Sequence, residues 1–111
     1  MHLYIELFRA KDAWLELNPE QRREYVQQVG STMHGVLEAG AELLGAGSAA
    51  PGTSNDVGYD FFAVWKLPDA DVVKSFEEGI ERDNWYDYFE QVNAAGELVD
   101  FESVVQRVMA L

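Results

Sequence analysis

Glu6 is the residue whose type and place most suggest chemistry. It stands between Tyr4 and Phe8 in a segment, Met1 to Ala10, whose residues alternate in character. Leu3, Ile5 and Leu7 share one face, and His2, Tyr4, Glu6 and Phe8 share the other, the pattern of a half-buried strand. A carboxylate on the inward face is costly unless it is paired. Desolvation would raise its pKa and suit it to act as a general base. The competing reading pairs Glu6 with Arg9, with Lys66 or with a partner subunit, or leaves it wet at a cavity mouth. Around it, Tyr4 would be an orienting hydroxyl, and Trp65 with Phe61 a wall for a flat aromatic ligand. Aromatic side chains on a sheet face also serve as plain dimer core, so that alternative stays open. Trp85, Tyr86 and Tyr88 are candidates for a lid over the same space.

The two histidines are His2 and His34. On a strand, His2 and Glu6 lie roughly 13 Å apart, too far to share a metal. On a helix, His34 and Glu38 share a face, but two ligands make a weak site and an ion pair is expected instead. His34 also neighbours Met33 on the packing side, which keeps it among the pocket candidates. No metal is expected. The chain has no cysteine, which removes thiolate nucleophiles, disulfides and cysteine-bound zinc. Gly45 to Ala50 spells G-x-G-x-x-A, but Pro51-Gly52 follows where a dinucleotide site needs a helix, so that site is rejected.

The elements that would position these residues are legible from pattern. Asn18-Pro19-Glu20-Gln21 is a helix start with a capping box, and Val26, Val29, Met33, Val36 and Leu37 continue an amphipathic helix to about Gly40. Gly30 and Gly35 within it are expected to mark close packing on the sheet. Ala41 to Ala46 is a second strand, and Gly47 to Gly58 a turn-rich loop. Tyr59 to Leu67 is the most strand-like run, with bulk on both faces and Pro68 closing it. Asp69 or Asp71 caps a helix with Val72, Val73, Phe76 and Ile80 inward. From Asn84 to Val99 both helix and strand patterns fit; a turn at Asp83–Asp87 followed by a fourth strand is preferred, because it completes one sheet. Asp100 to Leu111 closes as a short helix.

With 111 residues, 48% of them hydrophobic, the chain is expected to be one α+β domain, residues 1–111, of ferredoxin-like order β-α-β-β-α-β plus a C-terminal helix. Helices would cover one sheet face. The face with Tyr4, Glu6, Phe8, Phe61 and Trp65 would then be bare and is expected to form a homodimer. A net charge of −12 argues against nucleic acid and anionic membranes as partners. No apolar run is long enough to span a membrane, and a cytoplasmic location is expected.

The runs AWLELNPEQRREYV, FFAVWKLPD and NWYDYFEQV carry a resemblance to the dimeric α/β-barrel superfamily, nearest to an uncharacterised bacterial group and to darcynin-like proteins. That resemblance implies two ferredoxin-like subunits with their sheets facing. Members include cofactor-independent monooxygenases, haem-degrading monooxygenases, and small isomerases and cyclases. The haem-degrading pattern matches at Trp65, but Glu6 stands where an Asn is needed and Ala70 to Asp83 holds no haem-ligating His. The expectation is therefore a small aromatic or apolar molecule bound or transformed without a cofactor, by oxygenation or proton-transfer isomerisation, with Glu6 as base. The alternative is a non-catalytic interaction protein whose sheet face only joins subunits.

Overall fold

The computed structural model describes residues 1–111. Strand β1 (His2–Ala10) leads through a one-turn helix α1 (Asp12–Leu15) into the long helix α2 (Pro19–Glu38). Strands β2 (Glu42–Ser48) and β3 (Phe61–Leu67) follow, then helix α3 (Ala70–Arg82), the single turn α4 (Trp85–Tyr88), β4 (Phe89–Glu97) and helix α5 (Phe101–Met109). The four strands form an open antiparallel sheet in the order β2-β3-β1-β4. This is the ferredoxin-like arrangement expected from the sequence. Each half is a βαβ unit with a strand from the other half inserted between its own two.

Local chemistry explains the boundaries. Asn18 accepts from the Gln21 amide at 2.8 Å while Gln21 accepts from the Asn18 amide at 2.9 Å, a reciprocal cap on α2. The helix ends where Gly40 takes φ = 103° and the Ala41 N–H returns to the Val36 carbonyl at 3.2 Å, a left-handed turn that a side chain would strain. Asp69 caps α3 through the Val72 amide at 2.9 Å. At Asn84–Val99 the turn-plus-strand alternative is the one found: Asn84 adopts φ = 55° and starts α4, and β4 then pairs with β1 along nine residues.

The sheet register sets Tyr4 opposite Trp65, Glu6 opposite Ala63 and Phe8 opposite Phe61. These residues lie beneath α2 and α3. Tyr4 packs on Phe76 with ring centroids 5.0 Å apart, and Phe76 on Trp65 at 5.2 Å. Tyr4, Leu67 and Phe76 are the most deeply buried side chains. The expectation that this face would be bare is thus corrected. Helices α2 and α3 cover it, and the more open face is the one with Leu3, Ile5, Leu7, Phe62, Val64 and Val92, where only Val104 of α5 comes near Leu3 and Ile5. Both faces of β1 and β3 carry bulk, so alternation could not decide between them.

A second correction concerns the glycines. Apart from the helix's own neighbouring turns, no atom lies within 4 Å of a Cβ built at Gly30 or Gly35. The tight helix contact is at Gly79, where a Cβ would sit 2.8 Å from the Thr32 methyl on α2. Gly79→Ala should therefore destabilise the protein by about 1–2 kcal/mol, although alanine favours helix by about 1 kcal/mol. Adding Thr32→Ser, which removes the opposing methyl, should restore most of the loss in urea unfolding. A stabilised single variant would show that the helices are not held this closely.

Candidate functional site

Between the sheet and α2/α3 lies a cavity of about 230 Å³. Its walls include Phe8, Met33, Trp65, Phe76 and Trp85, and of its eleven lining residues ten are hydrophobic. The remaining one is Glu6. A cavity of about 150 Å³ with apolar walls takes benzene, and typical ligand sites begin near 300 Å³. The space here suits one small molecule of roughly ten to twelve heavy atoms.

Glu6 reaches this position by its register on β1 and is only 8% exposed. Its Oε1 accepts from the Trp65 indole Nε1–H at 2.7 Å, and its Oε2 from Gln91 Nε2 at 2.8 Å. Neither Arg9 nor Lys66 pairs with it. Arg9 bonds Glu90 at 2.7 Å, and Lys66 lies opposite Leu3 on the other sheet face. Burial pushes the Glu6 pKa up, while the hydrogen bonds from Gln91 and Trp65 pull it down without cancelling the rise. An ionised carboxylate in such a place costs several kcal/mol, because two neutral dipoles do not replace its water.

The direction of every bond around Glu6 is fixed by groups that can act in one sense only. The Trp85 indole is a donor and gives its Nε1–H to Gln91 Oε1 at 2.8 Å. Gln91 must therefore turn its NH₂ toward Glu6 and toward Asn93 Oδ1, each at 2.8 Å. Asn93 then donates to the Tyr4 hydroxyl at 3.1 Å, and Tyr4 donates to Glu77 Oε2 at 3.0 Å. Burial first, and the Glu77 carboxylate second, push the Tyr4 phenol far above its ordinary range, so it stays protonated.

The structure brings together some of the residues singled out from sequence and separates others. Glu6 and Trp65 line the cavity. Tyr4 neighbours them on the same face, but its hydroxyl is committed to Asn93 and Glu77. Phe61 packs on Phe8 at 5.5 Å and is 40% exposed, at the edge of the aromatic group. His34 points away: it is exposed and pairs with Glu38 at 3.0 Å, because adjacent helical positions diverge and only Met33 turns inward. Of the lid candidates, Trp85 lines the cavity, whereas Tyr88 packs on Tyr25 and Trp14. Sequence reasoning missed Gln91 and Asn93. Their signal was two polar residues spaced by two on a strand whose Phe89 shares their inward face.

Stability should report the state of Glu6. A carboxylate whose folded pKa lies above its unfolded value binds more protons in the folded state between those two values. Its contribution therefore falls as pH rises from the ordinary carboxylate range through the raised value. Glu6→Gln should remove that slope. At neutral pH the variant should lie within about 1 kcal/mol of the parent, since relief of the buried charge offsets the one hydrogen bond its NH₂ cannot make. Urea unfolding across pH checks this. An unchanged slope, or a loss above about 2 kcal/mol at neutral pH, would contradict it.

Comparison with known proteins places the chain. Among solved structures, a dimeric ferredoxin-like protein of unknown function from Thermobifida fusca superposes with a TM-score of 0.53 at 16% identity, covering 87% of this chain and 90% of that one. A putative chlorite dismutase gives a TM-score of 0.63 at 15% identity over 89% of this chain and 44% of its own. An Arabidopsis thaliana protein gives 0.62 at 9% identity, covering 90% of this chain and 97% of that one. At these identities the likeness is one of fold. No curated protein matches in the sequence search. The model of a family of unknown function, DUF6616, matches residues 1–111, and the chain belongs to that family.

Proposed function

We propose that the protein binds one small, largely apolar molecule between its sheet and helices, with Glu6 as the polar anchor. The observation that carries this reading is that the single polar residue in an otherwise apolar cavity is a buried carboxylate without a cationic partner. Buried charges are normally paired, and the cost of this one is repaid if a ligand completes it. A carboxylate with a raised pKa also takes a proton from an acidic group held against it, which is the opening step expected of a cofactor-free enzyme. Trp65 and Trp85 present flat surfaces to an aromatic ring.

The same reading includes self-association through the open sheet face. Leu3, Ile5, Leu7, Phe62 and Val64 make the middle of that face apolar, with charge at its two ends, where Glu42 stands opposite Lys66 and Arg9 pairs with Glu90. For a chain of net charge −12, a face whose charges are matched in opposite-sign pairs is one on which a second copy can approach. The radius of gyration, 15.9 Å against roughly 13 Å for a closely packed chain of this length, indicates surface left without an intramolecular cover. Exposed Val105 and Val108 on α5 add to it. The dimeric neighbour from Thermobifida fusca supports the idea by fold alone.

Two measurements test the proposal. Indole, added while the Met33 methyl signal is followed by NMR, should shift that signal and raise the unfolding midpoint; Ala63→Leu, which fills the cavity, should abolish both effects. An undisturbed Met33 would contradict the binding site. Ile5→Asp or Val64→Asp should convert a dimer to a monomer by light scattering, and variants that stay dimeric would place the interface elsewhere.

A further inference from the structure

The hydrogen-bond directions inside the cavity specify more than a ligand's size. Both protein neighbours of Glu6 can only donate to it. The Trp65 indole has no acceptor, and the Gln91 amide cannot turn over, because Trp85 occupies its oxygen. Glu6 therefore has no protein acceptor for a proton of its own. Its remaining lone pairs are the polar surface offered to the cavity. No Lys, Arg or His lines the walls. A carbonyl or an anion placed there meets like polarity on the carboxylate and finds no donor elsewhere, since the Trp85 N–H is already engaged.

We propose that this cavity selects a small apolar molecule carrying one hydrogen-bond donor, a hydroxyl or a protonated amine, and rejects carboxylates and phosphates. The inference rests on the cavity being a binding site and names the class of its ligand. A donor satisfies a carboxylate that the fold has already stripped of water, so the ligand bears only its own desolvation cost. An ammonium supplies the missing countercharge, with the aromatic walls favourable to a cation. The net charge of −12 acts in the same direction at longer range.

Four molecules of one ring size separate the possibilities: naphthalene, 2-naphthol, 1-naphthylmethylamine and 2-naphthoate. Each is titrated at pH 7.5 against the full chain while the Met33 methyl is followed. The naphthol and the amine should bind at least about tenfold more tightly than naphthalene, and the carboxylate more weakly than all three. Glu6→Gln should reduce the spread to within about threefold. If that variant does not fold, lowering the pH of the parent serves instead. Protonation of Glu6 should erase the preference for the amine, which keeps its charge. The titratable groups near Glu6 are Tyr4 on β1 and Tyr86 on α4, with Glu77 on α3 behind Tyr4 as the acceptor of its hydroxyl; β3 and β4 present the neutral Trp65, Gln91 and Asn93. Equal binding of all four, or tightest binding of the carboxylate, overturns the donor rule while leaving the cavity a binding site. Binding by none overturns both.

Discussion

Glu6 is kept from water by two neutral donors with no cation in contact, and the polar side chains around it are ordered by that fact. Trp65 must bring its indole N–H to the carboxylate, and its ring packs tilted against Phe76, 5.2 Å between centroids. Gln91 must present its NH₂, which requires an acceptor's partner behind it, and Trp85 fills that role from α4. The chain of donors then runs through Asn93 and Tyr4 to the carboxylate of Glu77 at the surface. Indole groups at one end and a carboxylate at the other allow one direction throughout. A network this constrained stays in place only if its members are held by packing, and the aromatic contacts among Phe8, Trp85 and Phe89 hold the α4–β4 corner that carries Gln91.

The two faces of the sheet divide the work. The face beneath α2 and α3 holds the network and the cavity, while the other is apolar at its centre with charged pairs at its ends. Edge and centre differ as well: β1 and β3 are central and carry bulk on both sides, whereas β2 supplies Gly45 and Gly47 opposite Val64 and Phe62. The Phe62 ring lies close over Gly47, where a Cβ would sit 3.0 Å from it. Small residues on the edge strand thus leave room for large ones on its neighbour. That is the packing from which an extended apolar surface is built.

Much of this was legible in the sequence, and the limits have physical causes. Asn18-Pro19-Glu20-Gln21 announced a helix because capping is local chemistry. The alternation of Leu3 to Phe8 announced a strand because side-chain direction has a period of two. Which face the helices cover was misjudged, since Tyr4 and Phe8 on one side and Ile5 and Leu7 on the other are equally bulky. The register of the strands makes that choice, and a shift of one residue would reverse it. The position of Glu6 on the inward face was readable. Its partners were not, because Trp65 and Gln91 come from two other strands, separated from it by 59 and 85 residues. His34 illustrates the opposite case: adjacency to Met33 in sequence is separation on a helix.

The ionisation of Glu6 itself is the most direct test of this account. Carbon-13 labelling of glutamate, with the Glu6 carboxyl resonance assigned by its loss in Glu6→Gln, allows its titration to be followed by NMR. The structure predicts a midpoint above the ordinary carboxylate range, because burial outweighs the two hydrogen bonds that favour the charged form. A midpoint at or below that range would mean that Glu6 is well solvated or paired with a cation, and the reading of the cavity as a site awaiting a donor would be wrong.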